Sequence, residues 1–229
     1  MSKSTGTRPD IPILYEDNHL LIIIKPVDVL SQQDYTGDPD VLTLCKAYLR
    51  NKYNKSGNAF LGLVHRLDRP AGGVMVLAKT SKAASRISEQ IRNHTFQKRY
   101  QVVVSGRTAP NGVLIHHLQK NSETNFVTVS ANRDRSKKAE LSYIRKAYNP
   151  LKNLSLLQVS LITGRPHQIR VQFSAEGYPL AGDRKYGSRV QDSAGPALFA
   201  SSVRFAHPVN GQQVEFTSDC PDHKPWNYF

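Results

Sequence analysis

The apolar residues of this chain come in short runs, and that limits what it can fold into. The longest, Leu20–Ile24, is the length of one strand. A membrane-spanning helix needs ~18 or more consecutive apolar residues, so none is expected. Further runs read as strands at Ile11–Tyr15, Leu61–Val64, Tyr100–Ser105, Leu154–Ile162, Ala197–Phe205 and Gln213–Phe216. Glu16–His19 makes a turn, so the first two runs form a hairpin, and Lys25-Pro26 stops the second because proline has no N–H to donate. Gly72–Ala78 reads as a loop entering a strand, and several short β-like runs lie between Val113 and Tyr148. Three segments have helical spacing. Val41, Leu44, Cys45, Tyr48 and Leu49 follow a cap at Asp38 or Asp40. Thr80–His94 places Ala83, Ala84, Ile87 and Ile91 on one face, and Arg165–Glu176 ends where Gly177 would stop a helix. Strands outnumber helices without alternating regularly with them. The expected class is α+β, with a mixed, mostly antiparallel sheet and flanking helices.

The chain has 229 residues, enough for one domain or at most two small ones. No linker or internal repeat is visible. Residues 11–229 are expected to form one domain behind a loose polar tail over residues 1–10. That tail lacks the apolar centre of a secretory signal. Cys45 and Cys220 make no disulfide scaffold, which points to a reducing cytoplasm. The net charge of +13 favours polyanions, of which nucleic acid is the commonest. The charge is uneven. Lys79, Lys82, Arg86, Arg92, Lys98, Arg99 and Arg107 crowd one stretch, and Arg133, Arg135, Lys137, Lys138, Arg145 and Lys146 another. These are either solvated faces or a surface that tracks phosphates.

Phosphate-loop, dinucleotide-loop and nucleophile-elbow signatures are absent. His116-His117 would point apart on a strand, and no metal site is expected. One loop is better placed for chemistry. His65-Arg66-Leu67-Asp68-Arg69-Pro70-Ala71-Gly72-Gly73 lies between two apolar runs. Asp68 is the only acid between Gly62 and Lys79. Its plainest alternative is an Asx turn binding local amides. A second stretch, Thr163–Arg170, links a strand to a helix, with Pro166 suited to the first turn and Arg170 either functional or an exposed helix arginine. A third, Lys98-Arg99-Tyr100, opens a strand.

Together these residues resemble a family. His65–Gly73 with Val74–Lys79, the Lys98/Tyr100 pair, Gly164-Arg165 with His167–Arg170, and Gly182-Asp183-Arg184 with Tyr186-Gly187 are similar in order and spacing to the motifs of the RluA-type pseudouridine synthases. The resemblance runs from about Ile11 to Phe216. It implies a sheet with a central RNA-binding cleft, and no cofactor. It implies that Asp68 is the catalytic aspartate, that Tyr100 packs on the target uracil, that Arg170 pairs with the aspartate and that Arg66 fills the gap left by the flipped nucleotide. His65, Arg69, Lys98, Arg165 and His167 fall in the same motifs as RNA-contacting candidates, His65 as a residue that orients its loop. There are two departures. Asp28 stands where the family often has Gly after Lys-Pro-x, which is expected to alter a turn at the cleft edge without touching the chemistry. No separate RNA-binding domain, which many members carry ahead of the catalytic one, is expected here.

The implied partner is a structured RNA, ribosomal or transfer, and the implied enzyme a monomer without an obligate protein partner. The reaction moves uracil from an N–C to a C–C bond with ribose. Asp68 has three routes: attack on the sugar carbon, addition to the ring, or removal of a ribose proton. All need an ionised carboxylate, and a buried one without a cation is costly, which gives Arg170 a physical reason to be there. Two other classes compete: an RNA-binding or chaperone protein of the same fold without activity, and a glycosidase. The latter usually needs two carboxylates across the bond, and these motifs offer only Asp68.

Overall fold

The computed structural model describes residues 10–54, 57 and 59–229. Of the tail expected over residues 1–10, all but Asp10 falls outside them. The strands are β1 (Ile13–Glu16), β2 (Leu20–Lys25), β3 (Gly62–Leu63), β4 (Gly72–Ala78), β5 (Gln97–Ser105), β6 (Asn111–Lys120), β7 (Val127–Val129), β8 (Lys137–Asn149), β9 (Leu154–Leu161), β10 (Leu198–Ala206) and β11 (Gln213–Thr217). The helices are α1 (Val41–Lys52), α2 (Ser81–Arg92) and α3 (Gln168–Ala175). All the strands join one sheet in the order β1-β2-β4-β10-β5-β9-β8-β6-β7, with β3 on β4 and β11 on β10. Only the β4–β10 pair is parallel among the described strands. This is the mixed, mostly antiparallel α+β sheet that the short apolar runs predict.

Three local expectations change. Gly72–Ala78 is a strand from its first residue, because β4 is buried on both faces. The short runs expected between Val113 and Tyr148 are mostly two long strands, β6 and β8. One face of β6 is exposed, so polar residues alternate along it and break the apolar pattern. Helix α3 begins at Gln168, not Arg165, since His167 holds φ 52°, a left-handed conformation no right-handed helix contains. The other caps follow the sequence: Asp40 accepts from the Thr43 N–H and Thr80 from the Ala83 N–H.

Alternation along the strands divides the core in two. On one face Leu21, Ile23, Met75, Leu77, Tyr100, Val102 and Val104 pack with Val41, Cys45 and Leu49 of α1 and Ile169 and Phe173 of α3. On the other, Leu20, Ile22, Val74, Val76, Val203 and Phe205 pack with Ile87 of α2. Each such apolar side chain contributes ~1.5–3 kcal/mol on burial. Helix α2 therefore lies on the opposite face of the sheet from Tyr100. Among the described residues, no helix is long and apolar enough to cross a membrane.

Candidate active site

The loop from Val64 to Ala71 is held at several points. Lys25, fully buried at the end of β2, donates to the carbonyls of Pro26 (2.9 Å), Arg69 (3.0 Å) and Ala71 (2.7 Å). Burial lowers its pKa to about 7, against the charges of Asp28 and Asp68, which raise it. The Ser31 hydroxyl donates to the Leu67 carbonyl at 2.7 Å and accepts from the Leu67 N–H at 3.2 Å. His65 accepts the Val76 N–H on Nε2 at 2.9 Å, which ties the loop to β4. Burial, aided by the Lys98 charge, pushes the His65 pKa down to about 3, so the ring is neutral. At the loop's exit Gly73 has φ 118°, and a Cβ there would lie 2.6 Å from the Ala200 backbone nitrogen. Only glycine fits. Ala200 pairs with Gly73 on one side and Tyr100 on the other, so the loop's exit and Tyr100 share one row of the sheet.

The Asp68 side chain is 28% exposed, and its Oδ2 lies 3.6 Å from NH1 of Arg170, which is 6% exposed. The two motifs do meet. Arg170, however, is buried rather than exposed, and its tighter partner is Asp183, through Nε–Oδ2 at 2.7 Å and NH2–Oδ1 at 2.8 Å. The guanidinium also stacks 4.9 Å from the Tyr186 ring centroid. Burial lowers the Arg170 pKa, but Asp183 and Asp68 outweigh it and the net direction is upward. One amino group of a fixed cation thus faces Asp68. Among the described residues the Asp68 carboxylate accepts no hydrogen bond, so it is not the anchor of an Asx turn. Tyr100 is buried; desolvation, then the Asp68 charge, raise its pKa, so the phenol is protonated at neutral pH.

The remaining candidates sit at varied distances from this centre. Arg66 is exposed and has no hydrogen-bond or ion-pair partner among the described residues. Arg69 is bound to Asp38 at 2.7 Å. Lys98 is half-buried with its amine against Gly164, so two of the motifs meet there. Arg165 donates from Nε to the Lys138 carbonyl at 2.9 Å. The Nδ1 of His167 lies 2.6 Å from the Tyr186 hydroxyl. Part of the first basic stretch is spent elsewhere: Lys79 pairs with Glu16 at 2.7 Å, Arg99 with Glu215 at 3.3 Å, and Lys82, Arg86 and Arg92 belong to α2 on the opposite face.

Sequence reasoning missed Lys25, Asp183 and Tyr186. Lys25 was legible only as the residue before a strand-ending proline. Asp183 and Tyr186 stood in a recognised motif that carried no role. Among the described residues no group of three or more His, Cys, Asp or Glu side chains is placed to hold a metal ion.

Comparison with known proteins agrees with these motifs. The family model described as RNA pseudouridylate synthase matches residues 19–175. The chain is 34% identical over 93% of its length to a protein of Zymomonas mobilis named ribosomal large subunit pseudouridine synthase D, and covers 70% of that protein. It is 31% identical over 93% of its length to a Bacillus subtilis protein named uncharacterized RNA pseudouridine synthase YlyB, again covering 70%. In fold it is similar to the human RNA pseudouridylate synthase domain containing 1, with a TM-score of 0.76 at 22% identity, covering 96% of this chain and 87% of that one. A buried arginine facing a half-open aspartate, on a sheet shared with these synthases, thus carries the sequence motifs of the same group, and the chain belongs to the RluA-type RNA pseudouridylate synthases, isomerases that act on RNA.

Proposed function

We propose that the chain converts a specific uridine of structured RNA to pseudouridine, and that large-subunit ribosomal RNA is the substrate, as the names of its relatives suggest. The carrying observation is the Asp68 carboxylate, free of hydrogen bonds among the described residues and faced by one amino group of a restrained Arg170. In this reading Asp68 is the reacting group. The bond from C1′ to N1 breaks, the ring turns, and C1′ bonds to C5. The C5 proton leaves to solvent and N1 takes one up, so atoms and electrons balance without a cofactor.

The target base is stacked inside RNA and must flip out, at a cost of a few kcal/mol. Arg66, exposed and unpartnered in the free protein, is available to fill the gap and bind phosphate. Tyr100 offers the flipped ring an aromatic face, worth ~1–3 kcal/mol. Lys98, Arg165 and His167 lie where the RNA would pass. Arg69, tied to Asp38, acts mainly by holding the loop. Residues 11–229 work as a single catalytic domain, as a monomer in the cytoplasm.

The test uses transcribed large-subunit ribosomal RNA carrying tritium at uridine C5. The wild-type protein is expected to release tritium, and Asp68→Asn to lose at least ~10³-fold in rate, about 4 kcal/mol of barrier. Release that survives in Asp68→Asn overturns the assignment of Asp68. Release from transfer RNA alone would overturn the substrate, and RNA binding without release from either RNA would favour the inactive RNA-binding reading.

A further inference from the structure

We propose that His167 is a hydrogen-bond donor to a carbonyl oxygen of the uracil ring, and that Tyr186 is the positioning residue that fixes it in its donating tautomer. This rests on the isomerase reading above and names a substrate contact within it.

The argument starts from the Tyr186 hydroxyl. It accepts the Val127 backbone N–H at 3.2 Å and lies 2.6 Å from His167 Nδ1, so in this proposal its own proton goes to that nitrogen. The phenol is held in place by two more contacts: its backbone carbonyl accepts from Ser174 at 2.8 Å, and its ring lies under the Arg170 guanidinium. A neutral imidazole that accepts on Nδ1 carries its proton on Nε2. That Nε2 has no partner among the described residues.

The ring is kept neutral by its surroundings. Desolvation lowers the His167 pKa first; Arg170 and Lys185 lower it further, and Asp68 and Asp183 oppose them. Tyr186, donating to the neutral ring, works in the same direction as burial. The backbone also points to a role beyond helix capping. His167 sits at φ 52° just before α3, yet its side chain makes no cap hydrogen bond to that helix. Non-glycine residues held in this region gather at functional sites. The ring stands one helical turn before Arg170, within range of the Asp68 charge.

The chemistry asks for such a donor. Each of the three routes open to Asp68 places negative charge on a ring carbonyl oxygen at some stage. A fixed N–H aimed at that oxygen stabilises the charge without taking or giving a proton. A protonated His167 keeps its Nε2–H but loses the bond it accepts from Tyr186 and with it the ring's fixed orientation, so activity should fall as pH drops through the His167 pKa.

Two measurements test this. Long-range proton–nitrogen NMR of the free protein reads the tautomer directly. We expect Nε2–H in the wild type, and a His167 pKa raised in Tyr186→Phe, which loses the donor to the neutral ring. Kinetics use the tritiated ribosomal RNA transcript. Tyr186→Phe should lower kcat by roughly five- to tenfold, the size of one ordinary hydrogen bond. It should also move the acid limb of the kcat profile to higher pH with little change in KM. His167→Gly relieves the left-handed backbone while removing the donor, and should lower kcat by ~10²-fold. His167→Asn, which tolerates that backbone and offers an amide N–H, should recover part of this and lose the shifted acid limb. An Nδ1–H tautomer in the wild type overturns the positioning role. So does an unmoved acid limb in Tyr186→Phe. Equal kcat in wild type and His167→Gly overturns the substrate contact. No tritium release by the wild type would sink the isomerase reading and the substrate contact with it, while the tautomer would still be decided by NMR.

Discussion

At the scale of single residues, Asp28 shows how a departure from a family pattern can be read. The sequence suggests that an aspartate in place of the usual glycine alters a turn at the cleft edge. The structure instead gives Asp28 φ 61°, the left-handed conformation in which glycine is at home. Aspartate can hold this turn because it tolerates that region better than most residues. Its charge has a second use, since it is the larger of the two carboxylate influences that offset the burial of Lys25. The two effects separate by substitution. Asp28→Asn keeps the turn and removes the charge. Asp28→Val keeps neither, and forces a β-branched residue into a region that costs L-residues ~1–2 kcal/mol. Urea unfolding should place Asp28→Val ~1–2 kcal/mol below Asp28→Asn. Equal stability of the two would mean the turn relaxes.

At the scale of elements, the Asp68 loop is held from several sides, by Lys25 of β2, Ser31, Asp38 and Val76 of β4, and this is where the sequence was least legible. Strands β2, β5, β9, β10 and β11 and helices α1 and α2 could be read to within a few residues, since periodicity and caps are local signals. The candidate site residues Asp68, Tyr100 and Arg170 were legible as a resemblance. The bonds that hold them were not, because each joins residues far apart in sequence. Ser31 meets Leu67, and Arg170 binds Asp183 more tightly than its expected partner Asp68, which it also faces. Lys25 is the clearest case: an amine that looks like a strand-end surface charge is fully buried on three loop carbonyls. Its pKa of about 7 lies below the ordinary value of 10.5, so between those values the unfolded chain holds a proton that the folded chain has released. Stability from this group therefore rises as pH goes from 7 towards 10.5, and the burial penalty is fully present below 7. Lys25→Met keeps most of the length and removes the titration. The difference in unfolding free energy between wild type and Lys25→Met should grow in favour of the wild type from pH 7 to pH 9. A difference that stays flat with pH would show that the three carbonyls hold the amine charged.

At the scale of the whole molecule, the +13 charge is sorted by the sheet. The β5–β10 register shifts between Ala200 and Ser202, so alternation alone does not sort the cations at the start of β5; of these, Arg99 is paired with Glu215. Arg66 and Arg165 stand on the loops either side of Asp68 and Arg170. Lys82 and Arg92 ride on α2, packed against the opposite face. Lys79 is locked to Glu16, whose carboxyl burial would raise, but which hydrogen bonds from Lys52, Lys79, Tyr53 and Tyr48 hold down at about 2. A cation already paired inside the protein releases no counterion when RNA arrives. If the RNA lies across the Tyr100 face, the salt dependence of binding should report only the cations of that face. Each phosphate contact adds ~0.7–0.9 to the slope of log K against log salt. Fluorescence anisotropy with a labelled ribosomal RNA fragment, read from low to moderate salt, distinguishes the sets. Arg66→Ala and Arg165→Ala should each reduce the slope by roughly one unit. Lys82→Ala and Arg92→Ala together should leave it unchanged. A loss of slope in the α2 pair equal to that in the loop pair would mean that the RNA wraps around the edge of the sheet, and that the chain's charge acts as a whole rather than through one face.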